Sequence, residues 1–586
     1  MRLKGYLSKE KHLFEWFTAL DLKLIAIAVL VFFPLKVLAQ SETDIRENAP
    51  NVIERTAPRQ NRPLTPKIPQ PKPEPNLQAP NIPRTSECLQ PNDRRDAGEI
   101  FYVRDVEVLG NTVLQSEIDA EINRFKRHFV TLEDLVCLRS QITNLYLNNG
   151  YVTSGAFIPN NQDLDDGIVA IQVIEGSVAE IGIRGLKRLR SSYIRSRVSS
   201  ATKKPLNQVK LESALQLLLQ NPLISRVDAE LTASNTAGSN ILLLDIQEDD
   251  AFFTNIGTDN YRSSSIGESQ LTASINHNNL LGFGDRIYAS YSLTEGLDLY
   301  SLGYTFPINA KGGTFSFAYD NSDTEVVDDE FANVDIASQT ESFSVGIRQP
   351  AIQSPNTEFA LSLNLDVRRR QTFLDSDPFP FTLGLTDGFA NVTVLRFAQE
   401  WVNRQPTRVF AARSQFNFGI NAFDATINNI GADGEFLAWQ GQFQWVQQLS
   451  SRILLVTRLG TQLTLDSLLS LEKFSLGGIN TIRGYAENRL VTDNGAFTSV
   501  ELRIPVTSNP QTFQLIPFAE VGTGWNNEEP GADPTTLASL GLGLRWSITS
   551  NLSTRLDYGI PLLETTDEGD GLQDKGLHWF LNYRLF

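Results

Sequence analysis

Residues 437–449 read LAWQGQFQWVQQL. Leu437, Trp439, Phe443, Trp445 and Leu449 share one parity, and Gln440, Gln442, Gln444 and Gln448 share the other. Successive side chains of a strand point to opposite faces, so this stretch reads as a strand with one greasy face and one amide face. The pattern recurs next door: Ile453, Leu455, Leu459 and Leu463 oppose Arg458, Gln462 and Thr464. Earlier, Ile287, Ala289, Tyr291 and Leu293 oppose Arg286, Ser290, Ser292 and Thr294. A soluble sandwich also alternates. A glutamine-lined face suits a wet barrel interior better, with the apolar face turned to lipid. At roughly 20 residues per strand and loop, the region 250–586 holds about 16 strands, the size of an outer-membrane barrel. The expected fold there is a transmembrane antiparallel β-barrel.

The composition agrees with that reading and excludes others. The chain has 586 residues and a formal net charge of −17, so several domains are expected and the basic stripe of a nucleic-acid binder is absent. Past the N-terminal region no stretch has the roughly 18 consecutive apolar residues of a membrane helix. Amphipathic strands hide their hydrophobicity from such a window. The histidines (His12, His128, His277, His578) are scattered. No zinc spacing, catalytic triad, GxSxG or P-loop is present, so no enzyme, metal or cofactor is expected.

Residues 1–39 read as a secretory signal. Arg2, Lys4, Lys9 and Lys11 precede the apolar run 24–33 (LIAIAVLVFF), and Val37-Leu38-Ala39 offers a cleavage site before Gln40. Residues 40–97 form a linker. Eleven prolines fall within 50–91, which favours extended polyproline II and prevents a packed core. Cys88 closes the linker and Cys137 lies in an expected helix. In an oxidising compartment two cysteines pair, so a structural Cys88–Cys137 disulfide is expected.

Two repeats lie between linker and barrel. Within 98–176 the order is strand (Phe101–Val108), helices (115–125 and 132–148), then strands (Tyr151–Ile158 and Ile168–Ile174). Within 177–249 the order recurs: strand Val178–Ile183, helices 190–199 and 206–220, strands Ser225–Thr232 and Ile241–Ile246. A β-α-α-β-β unit of about 75 residues used twice is a repeat.

The stretch 150–176, GYVTSGAFIPNNQDLDDGIVAIQVIEG, resembles the end of a POTRA (polypeptide-transport-associated) domain of the ShlB type. INHNNLLGFGDR (275–286), YTFPI (304–308) and LDYGIPL (556–562) are similar to strands of the two-partner secretion transporters, the TpsB proteins of the ShlB/FhaC/HecB family. The resemblance covers nearly all of residues 100–586. It implies POTRA domains in the periplasm that capture extended polypeptide at a strand edge, and a barrel in the outer membrane of a Gram-negative-type envelope. It also implies a plug helix before the linker, for which 41–55 leaves room, interrupted by Pro50.

The resemblance gives a meaning to residues 471–485, LEKFSLGGINTIRGY. In this superfamily an Arg-Gly-Tyr/Phe motif sits at the tip of a loop folded into the lumen, here around 471–490. Its Arg pairs with a carboxylate of a F-x-D-x-G motif on the inner wall. Arg483, Gly484 and Tyr485 take the first motif; Phe518, Glu520 and Gly522 take the second, with Glu for the usual Asp. The last strand sets Leu577, Trp579, Leu581, Tyr583 and Leu585 on one face and ends at Phe586. A terminal aromatic resembles the signal read by the barrel-assembly machinery, here with one residue more than the usual Tyr-Arg-Phe.

The expected function is a pore that recognises the amino-terminal secretion domain of a partner exoprotein of hemolysin or adhesin type, and threads it through the barrel. An insertase for other barrels is the alternative, disfavoured by two POTRA domains where insertases usually carry three or more. A passive porin would need neither POTRA domains nor the lumen loop.

Overall fold

The computed structural model describes residues 53–56, 75–78, 100–160, 162–328, 331, 334–382, 384–428, 431–528, 535–565 and 569–585. The export segment 1–39, Cys88, Phe586 and most of the linker lie outside them. Cys137 is disulfide-bonded.

Among the described residues, nine strands and four α-helices of eight or more residues precede the barrel. The linker supplies β1 (Asn76–Gln78). The first repeat comprises β2 (Ile100–Val103), β3 (Asp105–Leu109), α1 (Gln115–Ile122), β4 (His128–Thr131), α2 (Leu132–Asn148), β5 (Gly155–Phe157) and β6 (Ile168–Ile174). The second comprises β7 (Ser177–Arg184), α3 (Ser191–Val198), α4 (Gln208–Gln220), β8 (Ile224–Ala233) and β9 (Ser239–Glu248).

In the first repeat, α2 starts on a capping box. The Thr131 hydroxyl accepts the Asp134 N–H at 3.2 Å, and Asp134 accepts the Thr131 N–H at 2.8 Å. Leu135, Leu138, Ile142 and Tyr146 then bury one face against Val169, Ile171 and Val173 of β6. The expected single strand Phe101–Val108 is broken in two. The Gly167 carbonyl accepts N–H bonds from both Arg104 (2.7 Å) and Asp105 (3.2 Å), so β2 leaves the sheet that β3 joins. β2 pairs instead with β4, a strand the hydrophobic pattern did not reveal. The expected strand Tyr151–Ile158 shrinks to β5, because Ser154 N–H closes a turn onto Tyr151.

In the second repeat, Leu211, Leu215 and Leu218 of α4 pack on alternate residues of β8 and β9. Its sheet runs β1-β8-β9-β7, so part of the proline-rich linker is a strand rather than a spacer there.

From Phe252 the chain is a closed barrel. Among the described residues it has sixteen long strands in sequence order, with a two-residue arm at Asp377–Pro378. It closes where Phe252–Asp259 pairs antiparallel with Leu577–Arg584 over five residue pairs. Its burial is inverted relative to a soluble protein. Phe343, Val345 and Ile347 on one strand are 41%, 40% and 48% exposed, whereas Arg368, Arg396 and Gln462 are 7%, 4% and 0% exposed. The apolar outer band needs lipid, and the polar interior needs partners.

The segment 275–286 forms the joint with the second repeat. The Gly282 carbonyl accepts the Arg190 N–H at 2.9 Å, and the Arg190 guanidinium lies 4.0 Å from the Phe283 ring centre. Gly284 sits at φ +75°, and a Cβ there would come within 2.8 Å of the Tyr193 ring.

Candidate functional site, a loop clamped inside the barrel

Between the strands Leu454–Thr464 and Asn494–Pro505 the chain turns inward. It forms a small hairpin, Phe474–Leu476 with Leu490–Thr492, whose tip carries Ile482-Arg483-Gly484-Tyr485. The turn needs backbone no other residue supplies readily: Gly477, Gly478 and Gly484 sit at φ +104°, +82° and +98°. Phe474, Leu476, Ile482, Tyr485 and Leu490 pack into a small apolar core with Leu537 of the wall.

Arg483 is wholly enclosed. Its Nη2 lies 2.6 Å and its Nε 3.0 Å from Glu520 Oε1, and its main-chain N–H donates to Glu520 Oε2 at 2.6 Å. Nη1 donates to Asp557 Oδ1 at 2.9 Å, and Nη2 also approaches Glu501 at 3.4 Å. The Phe518 ring centre lies 3.5 Å from the guanidinium carbon. Side chains of Arg483, Glu520 and Asp557 are 0% exposed, so this pair is desolvated and not bathed by lumen water. Arg458, Arg503 and Arg555 pair with the same carboxylates from their outer sides. The extra methylene of Glu520 is absorbed: one oxygen reaches the guanidinium while the other takes the loop backbone.

The two glycines of the motifs make contact space. A Cβ on Gly484 would lie 3.0 Å from the Gly559 carbonyl carbon, and a Cβ on Gly559 would lie 2.6 Å from Gly484 N. LDYGIPL thus contributes both Asp557 and the gap beside it. Gly522 leaves room for Leu476 at 3.1 Å and Phe497 at 3.0 Å. The Gly484 N–H donates to His578 Nε2 at 3.3 Å, and the Tyr485 hydroxyl bonds the Ala538 and Leu563 carbonyls at 2.9 Å each.

A second set of contacts, not signalled by any motif, holds the near limb of the loop. Arg396 donates from Nη2 and Nη1 to the two oxygens of Glu472 at 2.9 and 3.1 Å, and from Nε to Asp366 at 2.5 Å. Arg368 donates to the Leu471 carbonyl at 2.8 Å. Half of the amide face 440–448 is closed off from water. Gln440 and Gln444 are buried, and Gln440 bonds Gln462, which in turn holds the Glu472 and Asp493 carbonyls. The signal for the wall residues was parity: Asp366, Arg368, Arg396, Gln440, Gln444 and Gln462 stand on the inward side of their strands.

Residues 53–55 are helical and also lie in the lumen. Arg370 donates to the Ile53 carbonyl at 2.8 Å and the Thr56 hydroxyl at 2.6 Å; Lys473 pairs with Glu54 at 3.1 Å; Asn488 donates to the Arg55 carbonyl at 2.6 Å.

Residues 238–546, more than half of the chain, match the model of the haemolysin secretion/activation proteins ShlB/FhaC/HecB. The chain belongs to that family. Residues 101–176 match the ShlB-type POTRA domain. The chain is similar to the outer membrane transporter CdiB of Escherichia coli, 22% identical over 486 residues and 80% of each chain. It is similar to the heme/hemopexin transporter protein HuxB of Haemophilus influenzae (strain 86-028NP), 22% identical over 489 residues, 80% of this chain and 85% of that one. Its fold matches the solved structure of CdiB from Escherichia coli with a TM-score of 0.65 and 19% identity, covering 94% of this chain and all of that one. As a ShlB/FhaC/HecB protein it is an outer-membrane barrel whose POTRA domains stand in the periplasm, and its family is one of secretion proteins rather than enzymes.

Proposed function

We propose that this protein is the outer-membrane pore of a two-partner secretion pair. The periplasmic repeats take up the amino-terminal secretion domain of one exoprotein, of hemolysin or adhesin type, as an extended strand. The chain then threads through the barrel and folds outside. The observation that carries this reading is the loop clamped by Arg483 within a barrel fronted by two POTRA-type repeats. A passive porin has no use for such a clamp, and an insertase would need to recruit many barrel clients. The clamp fixes the loop in the state from which secretion starts. During biogenesis the last strand is delivered by the barrel-assembly machinery, with Phe586 as its signal.

Charge exchange tests the clamp. Arg483→Glu abolishes most export of the partner, and adding Glu520→Arg restores part of it. Restoration stays partial because Asp557 and Glu501 still face position 483. Defects that simply add in the double variant would overturn the role of the clamp. Recognition is tested with the immobilised full-length protein and unfolded exported proteins from the same cells. Retention of one large exoprotein through its amino-terminal region supports dedicated export. Retention of many unfolded barrel proteins favours the insertase, and retention of none favours the channel.

A further inference from the structure

The turn that joins the barrel to the second repeat encloses two donors without an acceptor. On the strand Gln270–His277, Leu271, Ala273 and Ile275 form the exposed, lipid-facing row. His277 continues that row by parity, yet it is only 9% exposed. Its Nδ1 accepts the Asn279 main-chain N–H at 3.1 Å, so in the neutral ring Nε2 carries the hydrogen. Asn279 is 1% exposed, and its Oδ1 accepts the Gly284 N–H at 3.0 Å, which leaves the Nδ2 hydrogens. Neither His277 Nε2 nor Asn279 Nδ2 has a hydrogen-bond partner among the described residues. Buried polar groups are ordinarily paired, so two such donors at one turn call for an acceptor.

The surroundings say which acceptor. The segment 187–190 of the second repeat lies against the turn, through the Arg190 contacts with Gly282 and Phe283. Lys187, Arg188 and Arg190 are exposed, and Arg188 is close enough to act electrostatically on His277. The nearby carboxylates already serve other donors. Glu248 accepts the main-chain N–H groups of Lys187, Arg188 and Leu189 at 2.7, 3.1 and 3.0 Å, which holds the cationic segment in place. Asp285 accepts the Leu281 N–H at 2.9 Å and the Tyr304 hydroxyl at 3.0 Å. Apolar surface lies alongside. Leu280, Leu281 and Phe283 of the turn are exposed, as is Phe252, which pairs opposite His277. Cations and N–H donors suit a phosphate, and aliphatic surface at the end of a lipid-facing row suits acyl chains.

We propose that this joint is a binding site for one inner-leaflet phospholipid, held by its phosphate. His277 Nε2 and Asn279 Nδ2 donate to the phosphate oxygens, and Arg188 and Arg190 neutralise the charge. Reaching the two donors takes a rotation of the exposed Arg188 side chain, which then lies beside the phosphate. The acyl chains run up the barrel wall past Phe252 and Ile275. Bound there, the lipid ties the second repeat to the membrane surface and adds to the direct contacts of the joint. The site is independent of what the barrel exports.

The test uses the full-length protein with isotope-labelled histidine, purified in detergent, and dihexanoyl-phosphatidylglycerol as the probe. The ring signal of His277 is assigned with His277→Gln. The lipid shifts that signal and leaves those of His128 and His578 in place. Asn279→Asp, which sets a negative charge where a donor stood, weakens lipid binding by roughly tenfold or more. Arg188→Gln combined with Arg190→Gln weakens it by roughly tenfold or more as well. That pair changes exposed residues only and keeps the test decisive should Asn279→Asp fail to fold. Inorganic phosphate in large excess neither produces the shift nor displaces the lipid. A shift produced equally by inorganic phosphate would make this a free-anion site and overturn the lipid assignment. No shift at His277 with either probe, or equal lipid affinity in the wild type and the paired arginine variant, would overturn the site itself.

Discussion

Arg483 concentrates the energetic stakes of the molecule. A cation with no exposed surface must be matched by carboxylates, and removing one partner of such a pair typically costs roughly 3–5 kcal/mol. Glu520→Ala therefore unseats the loop more than Asp557→Ala does, because Glu520 also holds the Arg483 backbone N–H. Trypsin cleavage after Arg483 in the folded barrel reads the difference; equal cleavage in both variants would refute the ranking. Gly559→Ala inserts a methyl where the Gly484 backbone lies, an overpacking cost of about 1–3 kcal/mol, and produces the same cleavage with every charge intact. Arg483 and Glu520 were legible from two short motifs. Asp557 and Gly559 stood in a quoted segment, but nothing along the chain says that they touch Arg483 and Gly484, 74 and 75 positions before them.

The loop is held as an element at two walls. Its tip binds the strands Phe513–Trp525 and Leu552–Pro561, and its near limb binds Thr357–Leu374 through Arg368 and Phe389–Gln405 through Arg396. Sites with separate partners act additively, whereas partners in one pair do not. Arg396→Ala and Arg483→Ala should thus add in a double-variant cycle of loop protection, while Arg483→Ala and Glu520→Ala should not. Amide exchange across 471–490 measures both; strong coupling between Arg396 and Arg483 would mean one clamp, not two. The near-limb clamp escaped sequence reading because an inward Arg on a barrel strand looks the same whether it meets water or Glu472.

For the whole molecule, lumen electrostatics are those of an interior. Raising salt from about 0.1 to about 1 M shrinks the screening length from roughly 10 to 3 Å and weakens exposed pairs, but ions cannot enter an enclosed one. Loop protection should stay unchanged over that range, whereas the exposed Arg369–Asp424 contact should not contribute at high salt. Salt-induced cleavage at Arg483 would show that the clamp is wet. The barrel itself was readable because lipid and lumen impose a period of two on every strand. The repeats were readable because the same element order occurs twice.

The sequence by itself determined the architecture: a barrel of about 16 strands, two α+β repeats and a proline-rich linker. These follow from local patterns, since parity, helix period and proline content are properties of neighbours in the chain. Only the tertiary structure decided what the inward residues meet. It packed the glutamine face against the loop, gave Arg483 a second carboxylate, and placed 53–56 on Arg370 and 76–78 on β8. Those pairings join residues tens to hundreds of positions apart, and barrel closure and docking, not local propensity, bring them within hydrogen-bond reach.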